Sequence, residues 1–364
     1  MPEIVITGLP AILLAFASAL FITWYYIPKV IRVVKERHLE DKPGKHKIHQ
    51  SEVPTLGGIG IFGGFIFGFL IGINGYMHGL SYFMSAVVIL LFVGIKDDLV
   101  FIHPWKKFWG ELGVAVLVAV FTTIHITSLH GFFGITDISQ ISSYILTVIV
   151  IIILINAVNL IDGIDGLAAS IGIIASVVFG IFFFLSGDYG FTVMAAAMVG
   201  SLLAFLYYNM SEGPKKIFMG DSGSLVIGFT LAVFAIHFNE LVAAGGAIIP
   251  LESAPAVSIG ILVVPLYDTM RVVFLRLRDR KSIFIGDKRH IHHMMLRAGF
   301  SHRQATTWIS LFNIFIIGVA FLLDGIGIFP LGLVLLALCI TASGLLTIAV
   351  RNIEKRIAAK PTTA

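Results

Sequence analysis

The chain has 364 residues, of which 57% are hydrophobic and only 13% are charged. Soluble globular domains carry about 25% charged residues, so this composition excludes an ordinary soluble protein and indicates a membrane protein. The formal net charge is +4, and the single cysteine, Cys339, excludes an intramolecular disulfide.

Apolar runs recur along the whole chain. A helix needs about 20 apolar residues to cross the hydrocarbon core of a bilayer. We therefore predict an all-α, polytopic membrane protein that forms a single integral membrane domain over residues 1–364. The eleven predicted spans lie near residues 9–27, 56–76, 80–95, 108–128, 143–161, 167–186, 190–208, 223–239, 256–272, 305–323 and 329–350.

The basic residues are distributed unevenly among the segments between these spans. All 25 Lys and Arg residues fall within residues 28–55, 96–107, 209–222, 271–304 and 351–364. Because cytosolic loops are enriched in Lys and Arg, this pattern predicts that the N-terminus lies outside and the C-terminus in the cytosol. The predicted cytosolic site loops are residues 28–55, 96–107, 159–166, 209–222 and 273–304.

The first basic loop reads DKPGKHKIH at residues 41–49, and PTLGG follows at residues 54–58. Here basic side chains precede a glycine pair, which would let the backbone approach a ligand closely. On its own the motif is weak, because a basic juxtamembrane loop is more often typical of contact with anionic lipid headgroups.

Asp97 and Asp98 end the third predicted span, and Lys106 and Lys107 follow shortly after. Adjacent carboxylates at a membrane boundary repel each other, so the pair predicts a nearby compensating cation, either Mg²⁺ or a lysine. Ionisable groups at membrane depth generally face a polar cavity or a partner, which makes both carboxylates candidates for function.

Residues 156–167, NAVNLIDGIDGL, form the most specific stretch of the sequence. Asn159, Asp162 and Asp165 recur at every third position and would share one face of a helix. Glycines such as Gly163 favour a loop instead. Either geometry gathers oxygen ligands, and the absence of the twelve-residue ligand pattern excludes an EF-hand.

Residues 218–225, FMGDSGSL, place Asp221 between glycines just before the eighth predicted span. Backbone N–H groups at a helix N-terminus can receive a phosphate, and Asp221 could hold a metal that binds the same phosphate. The alternative is an ordinary Asp-Ser N-cap.

The basic segment from Arg276 to Arg289 ends in HIHH at residues 290–293. Three imidazoles in four residues raise the alternative of a zinc site, but no second ligand pair with zinc spacing follows. We interpret His290, His292 and His293 as hydrogen-bond partners of a diphosphate, assisted by Arg276 and Arg289. Together the motifs predict phosphoryl transfer with a diphosphate, a divalent metal and a membrane-embedded co-substrate.

The Asp-Asp pair, NAVNLIDGIDGL, FMGDSGSL and HIHH follow one another on successive predicted cytosolic loops. In this order they resemble the polyprenyl-phosphate N-acetylhexosamine-1-phosphate transferases, from the first cytosolic loop to about residue 305. HIHH followed by MMLRAGF resembles the branch that uses UDP-GlcNAc. The Glu-Leu-Lys-Gly sequence typical of the branch that uses UDP-MurNAc-pentapeptide is missing.

The resemblance implies transfer of GlcNAc-1-phosphate from UDP-GlcNAc to undecaprenyl phosphate, with release of UMP, on the cytosolic face of the bacterial cytoplasmic membrane. It implies Mg²⁺, or alternatively Mn²⁺, bound by Asp221 and Asn159. The resemblance implies catalytic roles for Asp221 and for Asp97 and Asp98, which would position or deprotonate the lipid phosphate. It also implies catalytic histidines that contact the diphosphate or sugar, together with Arg276: His290, His292 and His293. The uridine would be bordered by Asp162, Gly163 and Asp165, and the nucleotide would be contacted by Lys47. Glu111 stands where members of this family commonly have Gln.

Several alternatives stay open. The donor could be UDP-MurNAc-pentapeptide or another UDP-N-acetylhexosamine, and the reaction could pass through an aspartyl-phosphate. Two further alternatives belong to other classes of protein. A cation-coupled transporter would have acidic residues near the midplane of broken helices, and a lipid-binding scaffold would not turn over any UDP-sugar. The resemblance is compatible with a homodimer, and no nucleic acid partner is expected. The residues do not specify the downstream polymer, such as O-antigen or teichoic acid.

Overall fold

The computed structural model describes residues 8–37, 53–73, 79–280 and 289–358. These residues are mostly helical, which confirms the predicted all-α polytopic architecture. In chain order the described helices begin with α1 (Leu9–Glu36), α2 (Gly57–Gly72), α3 (Leu80–Leu99), α4 (Pro104–Phe121), α5 (Gln140–Ile161) and α6 (Leu167–Leu185). They continue with α7 (Tyr189–Asn209), α8 (Asp221–Ala243), α9 (Ala254–Ile261), α10 (Val263–Arg278), α11 (Ile291–Arg297), α12 (His302–Leu322) and α13 (Ile328–Ala358).

Within the described ranges, eight helices are long and apolar enough to cross a membrane: α1, α3, α5, α6, α7, α8, α12 and α13. The bent pair α9 and α10 adds a ninth if it forms one broken span. Helix α2 is apolar but short, and α4 carries Lys106, Lys107 and Glu111. Each of the eleven predicted spans overlaps at least one described helix, but the span predicted at residues 108–128 extends beyond the end of α4 at Phe121. The number of spans and their orientation stay predictions.

The segment predicted as one span at residues 256–272 is instead two helices, bent by 83°. Pro265 explains the break, because it has no N–H for the carbonyl of Ile261 and its ring would clash with that carbonyl in a continuous helix. Asn313 of α12 donates a hydrogen bond to the Ile261 carbonyl instead (3.2 Å). The break therefore leaves this buried carbonyl satisfied, as a membrane protein requires.

Helix α8 lies at the centre of the bundle. It is buried from Ser222 to Ile236 without interruption, and it packs against α2, α3, α5, α6 and α9. Aromatic side chains fill these contacts, with Phe229 stacked on Phe83 of α3 at a centroid distance of 5.6 Å. Because α8 is enclosed, its first residue, Asp221, lies near the middle of one end of the bundle.

A short β-hairpin lies in the predicted outer loop before α5, where no strand was predicted. Strands β1 (Ser128–Phe132) and β2 (Ile135–Asp137) pair in an antiparallel arrangement. The hairpin is joined to α8 through Glu240, whose carboxylate accepts hydrogen bonds from the N–H (2.8 Å) and hydroxyl (2.6 Å) of Thr127.

At the opposite end of the bundle, helices α3, α5 and α7 end where α4, α6 and α8 begin. Side chains from these termini reach one another across the bundle. Asp98 at the end of α3 contacts the first residue of α8, and Lys107 in α4 contacts Asn159 in α5. The fold thus gathers the polar motifs, which are far apart in sequence, at one end of the apolar bundle.

Candidate active site

An ammonium group marks the point where three side-chain oxygens converge. Nζ of Lys107 forms an ion pair with Asp221, and it lies 3.3 Å from Oδ2 of Asp97 and 3.4 Å from Oδ1 of Asn159. We call Asp97, Asn159 and Asp221 the oxygen cluster. The cluster confirms the predicted cation beside the Asp-Asp pair and identifies it as Lys107.

Asn159 fixes the carboxylate of Asp221. Its Nδ2 donates to Oδ1 of Asp221 (2.7 Å) and to the hydroxyl of Ser224 (2.8 Å). The other carboxylate oxygen, Oδ2, faces Lys107. With one oxygen held by an amide and the other by an ammonium, Asp221 has a defined orientation toward the cluster.

Asp98 caps helix α8 from a distant part of the chain. Its Oδ1 accepts from the N–H of Asp221 (2.7 Å), and its Oδ2 accepts from the N–H (3.1 Å) and hydroxyl (2.7 Å) of Ser222. The residue at the N-cap position itself is Gly220, with φ of 71°. A Cβ on Gly220 would collide with the Asp98 carboxylate, so this approach requires glycine.

These contacts correct two interpretations of the FMGDSGSL motif. Asp221 and Ser222 are not a simple Asp-Ser N-cap, because the capping carboxylate is that of Asp98. The N–H groups of Asp221 and Ser222 are bonded to Asp98 and are therefore not open to a phosphate. The Asp98 carboxyl group at the positive end of α8 thus takes the place that a phosphate was predicted to occupy.

The glycine pair of the PTLGG motif was predicted to contact a ligand, but in the structure it contacts protein backbone. The N–H groups of Gly57 and Gly58 donate to the carbonyls of Phe218 (3.0 Å) and Met219 (2.8 Å), and Phe218 donates to Pro54 (2.7 Å). This pairing anchors the residues before α8 to the start of α2. The predicted nucleotide residue Lys47 lies outside the described residues.

Helix α5 ends at Ile161, which decides between the two geometries considered for NAVNLIDGIDGL. Asn159 lies in the helix, Asp162 is its C-cap, and Asp165 lies in the following loop. The single helical face is therefore wrong and the glycine-containing loop is right. Asn209 at the end of α7 holds this loop, accepting from the N–H of Gly166 (2.5 Å) and donating to the carbonyl of Ile217 (2.9 Å).

The two carboxylates of this loop have opposite environments. Burial raises the pKa of Asp162 well above its usual value, and the charge of Asp221 adds to this effect. Burial also opposes the charge of Asp165, but hydrogen bonds from His302 (3.1 Å) and Lys216 (2.6 Å) outweigh it and lower the pKa of Asp165. Asp165 thus ties α6, α12 and the segment before α8 together through charge.

We expect Lys216→Met to lower the thermal unfolding temperature of the detergent-solubilised protein at pH 7 by a few degrees. Because the pKa of Asp165 is depressed in the folded state, its stabilisation is present above the unfolded value of about 3.9 and is lost as pH falls through the folded value. The difference between variant and native protein should therefore shrink below about pH 4. A difference in unfolding temperature that does not change with pH would contradict this account.

The histidine motif is held by a carboxylate that the sequence analysis did not select. Asp268 of α10 is buried, and its Oδ2 lies 2.9 Å from Nδ1 of His290 while its Oδ1 accepts from the N–H of Ile291 (2.8 Å). Asp268 therefore both orients His290 and caps α11. The sequence did carry a signal for Asp268, because it is a lone acidic residue within the predicted span at residues 256–272.

The histidines meet the glycine-containing loop at Gly163. A Cβ at Gly163 would collide with the ring of His292, so glycine is needed for this contact. Burial lowers the pKa of His292 to about 3, and the neighbouring His293 adds to the shift, so this ring is neutral near pH 7. The rings of His292 and His293 lie 4.3 Å apart, and Arg276 is buried near the end of α10.

The donor set suits a hard cation. Across residues 8–37, 53–73, 79–280 and 289–358, no group of three His, Cys, Asp or Glu side chains could hold a metal ion, so the zinc alternative gains no support. The oxygen cluster contains two carboxylates and one amide, which already converge on a cation. Mg²⁺ commonly takes only one or two protein carboxylates and completes its shell with water and substrate phosphates, so these residues fit it.

The sequence of the chain is similar to the sequences of known transferases. The sequence model of glycosyl transferase family 4 matches residues 80–239. The chain is 31% identical to a probable undecaprenyl-phosphate N-acetylglucosaminyl 1-phosphate transferase of Bacillus subtilis (strain 168), over 84% of this chain and 89% of that protein. The chain is 30% identical to the undecaprenyl-phosphate alpha-N-acetylglucosaminyl 1-phosphate transferase of Yersinia pestis, over 75% of this chain and 73% of that protein. It is 28% identical to the protein of the same name from Escherichia coli (strain K12), over 77% of this chain and 75% of that protein.

Proposed function

Because the chain belongs to glycosyl transferase family 4, we propose that it transfers N-acetylglucosamine 1-phosphate from UDP-GlcNAc to undecaprenyl phosphate. The products are undecaprenyl-diphospho-GlcNAc and UMP. The names of the relatives support the acceptor and the transferred group. The observation that carries the proposal is the oxygen cluster around Lys107, at the end of an apolar bundle where a lipid phosphate and a water-soluble nucleotide can meet.

The proposed reaction is one in-line displacement. An oxygen of the lipid phosphate attacks the β-phosphorus of UDP-GlcNAc, a new P–O bond forms, and the bond to the bridging oxygen breaks, so that the electron pair leaves with UMP. A phosphate monoester has a second pKa of about 6, so the acceptor is already largely dianionic at pH 7. It therefore needs positioning and charge neutralisation more than it needs a base.

We assign the cation-binding role to the oxygen cluster, with Asp221 and Asn159 as the predicted ligands and Asp97 as a third. Bound Mg²⁺, or Mn²⁺ in its place, would neutralise charge that develops on the diphosphate. Lys107 supplies a further positive charge beside the cluster. Asp98 acts through α8, because it holds the helix that carries Asp221.

The second half of the site is assigned to the donor. His290, His292 and His293 are proposed to hydrogen-bond the diphosphate or the sugar, with Arg276 from α10. Neutral His292 can donate from one ring nitrogen and accept at the other. The loop with Asp162, Gly163 and Asp165 is proposed to border the uridine, although in the structure Asp165 is engaged by Lys216 and His302. Lys47 remains a predicted nucleotide contact.

The charge pattern of the loops favours a cytosolic site in the bacterial cytoplasmic membrane. In that topology UDP-GlcNAc is taken from the cytosol and the lipid acceptor from the inner leaflet. The homodimer also remains a proposal. A transporter is disfavoured, because the oxygen cluster and the histidine motif lie at one end of the bundle, whereas substrate sites of transporters lie near the midplane.

The test is UMP release by the purified chain with undecaprenyl phosphate and Mg²⁺. We expect turnover with UDP-GlcNAc, no turnover with UDP-MurNAc-pentapeptide, and loss of turnover with EDTA that Mg²⁺ or Mn²⁺ restores. Turnover only with the pentapeptide would assign the other branch, and lipid binding without turnover of any UDP-N-acetylhexosamine would favour a scaffold. Enzyme that carries a covalent phospho-GlcNAc group, trapped with UDP-GlcNAc in the absence of lipid, would overturn the one-step reaction.

A further inference from the structure

Lys107 occupies the position that a divalent cation would need. Its ammonium lies among Asp97, Asn159 and Asp221, the same three side chains that fit Mg²⁺. Mg²⁺ binds oxygen at about 2.1 Å, so its ligands cannot also enclose an ammonium at the same point. Entry of a divalent cation therefore requires the ammonium of Lys107 to move.

A further carboxylate lies one helical turn away from Lys107. Glu111 follows Lys107 by four residues on α4, so the two side chains lie on the same face of the helix. Glu111 is 1% exposed, and its Oε1 is buried without a hydrogen-bond partner within the described part of the chain. An unsatisfied buried carboxylate oxygen is costly, and an ammonium is its strongest available partner.

Two side chains of helix α5 hold the carboxylates of Glu111 and Asp221. Asn156 donates from Nδ2 to Oε2 of Glu111 (2.5 Å), and Asn159, three residues later, donates to Oδ1 of Asp221 (2.7 Å). In each carboxylate an amide takes one oxygen; the other oxygen faces Lys107 in Asp221 and has no hydrogen-bond partner among the described residues in Glu111. The ammonium of Lys107 occupies the oxygen cluster, and Oε1 of Glu111, on the same face of α4, is a carboxylate oxygen that could accept from it.

We propose that Glu111 is a positioning residue that receives the ammonium of Lys107 when a divalent cation enters the oxygen cluster. The inference rests on the proposed cation-binding role of the cluster. Lys107 occupies the cluster in the absence of the metal, which limits repulsion between Asp97 and Asp221. On metal entry it turns toward Oε1 of Glu111 and stays charged at the edge of the site. Glu111 thereby determines how readily the cluster accepts its cation.

A double-mutant cycle tests this inference with Mn²⁺ as the probe. Free Mn²⁺ is measured by electron paramagnetic resonance during titration of the full-length chain in detergent, without substrates. Glu111→Gln keeps the size of the side chain and its bond to Asn156, and we expect it to weaken Mn²⁺ binding about tenfold when Lys107 is present. Lys107→Met removes the competing ammonium and should tighten binding.

In the Lys107→Met background the effect of Glu111→Gln should fall to no more than about twofold. An equal loss in both backgrounds would overturn the inference, because Glu111 would then act on the metal directly. If Lys107→Met fails to fold, Lys107→Gln replaces it. Absence of Mn²⁺ binding to the native chain together with absence of UMP release would instead count against the proposed function, so the two failures are distinguishable.

Discussion

Asp221→Asn should lower the rate of UMP release by about a thousandfold. The substitution keeps the shape of the side chain and an oxygen that can accept from Asn159. It removes the negative charge that Lys107 faces in the structure and that we assign to the metal. An amide N–H would then point toward a cation, so we expect the loss of Mn²⁺ binding together with the loss of turnover.

Asp188→Asn is the matched control. Asp188 precedes α7 at the opposite end of the bundle, where it accepts from the N–H of Phe191 (3.1 Å) and pairs with His237 (2.7 Å). It undergoes the same chemical change far from the oxygen cluster, so turnover should fall no more than about threefold. Retention of more than a tenth of native turnover by Asp221→Asn, with native Mn²⁺ affinity, would remove Asp221 from the metal site.

The fold could be predicted largely from composition and periodicity. A long apolar segment in a membrane satisfies its backbone hydrogen bonds by forming a helix, so each predicted span overlaps a described helix. The break at Pro265 was missed because the apolar run continues through it, although proline carried the signal. The hairpin at residues 128–137 was missed because its pairing depends on a short local turn that an apolar pattern does not reveal.

The polar residues that meet in the candidate site could be selected from the sequence, but their partners could not. Carboxylates and amides at span boundaries stand out in an apolar sequence, and this signal selected Asp97, Asn159 and Asp221. Which groups meet depends on how α3, α4, α5 and α8 pack, and sequence spacing carries no such information. Lys107 was noted only as a possible neighbour, and Asp268 was overlooked within an apolar run, yet each lies against a predicted site residue.

The pair Asp97 and Asp98 shows this limit most clearly. In the sequence the two carboxylates are equivalent, and the resemblance implied that both contact the lipid phosphate. In the structure Asp97 faces Lys107 and accepts from the N–H of Ile102 (2.9 Å). Asp98 faces the N-terminus of α8. Adjacent residues at a helix end point about 100° apart, so one can reach the oxygen cluster while the other caps its neighbour.

Asp98→Asn should therefore reduce both stability and activity. An asparagine offers one acceptor oxygen where the carboxylate offers two, and its amide N–H groups would face the backbone donors of Asp221 and Ser222. Hydrogen bonds to a charged acceptor contribute about 1.5–3 kcal/mol, so we expect the unfolding temperature to fall by several degrees. Turnover should fall at least about tenfold, because the start of α8 carries Asp221.

Asp97→Asn is the matched comparison, because it makes the same change one residue earlier. Its oxygen can still accept from Ile102, and the loss of one negative charge relieves repulsion with Asp221, so the unfolding temperature should stay within a degree or two of native while turnover falls. Thermal unfolding and UMP release on both variants separate the two roles. If Asp98 also acted as a base on the lipid phosphate, Asp98→Asn would change the pH dependence of turnover, which loss of the cap alone does not.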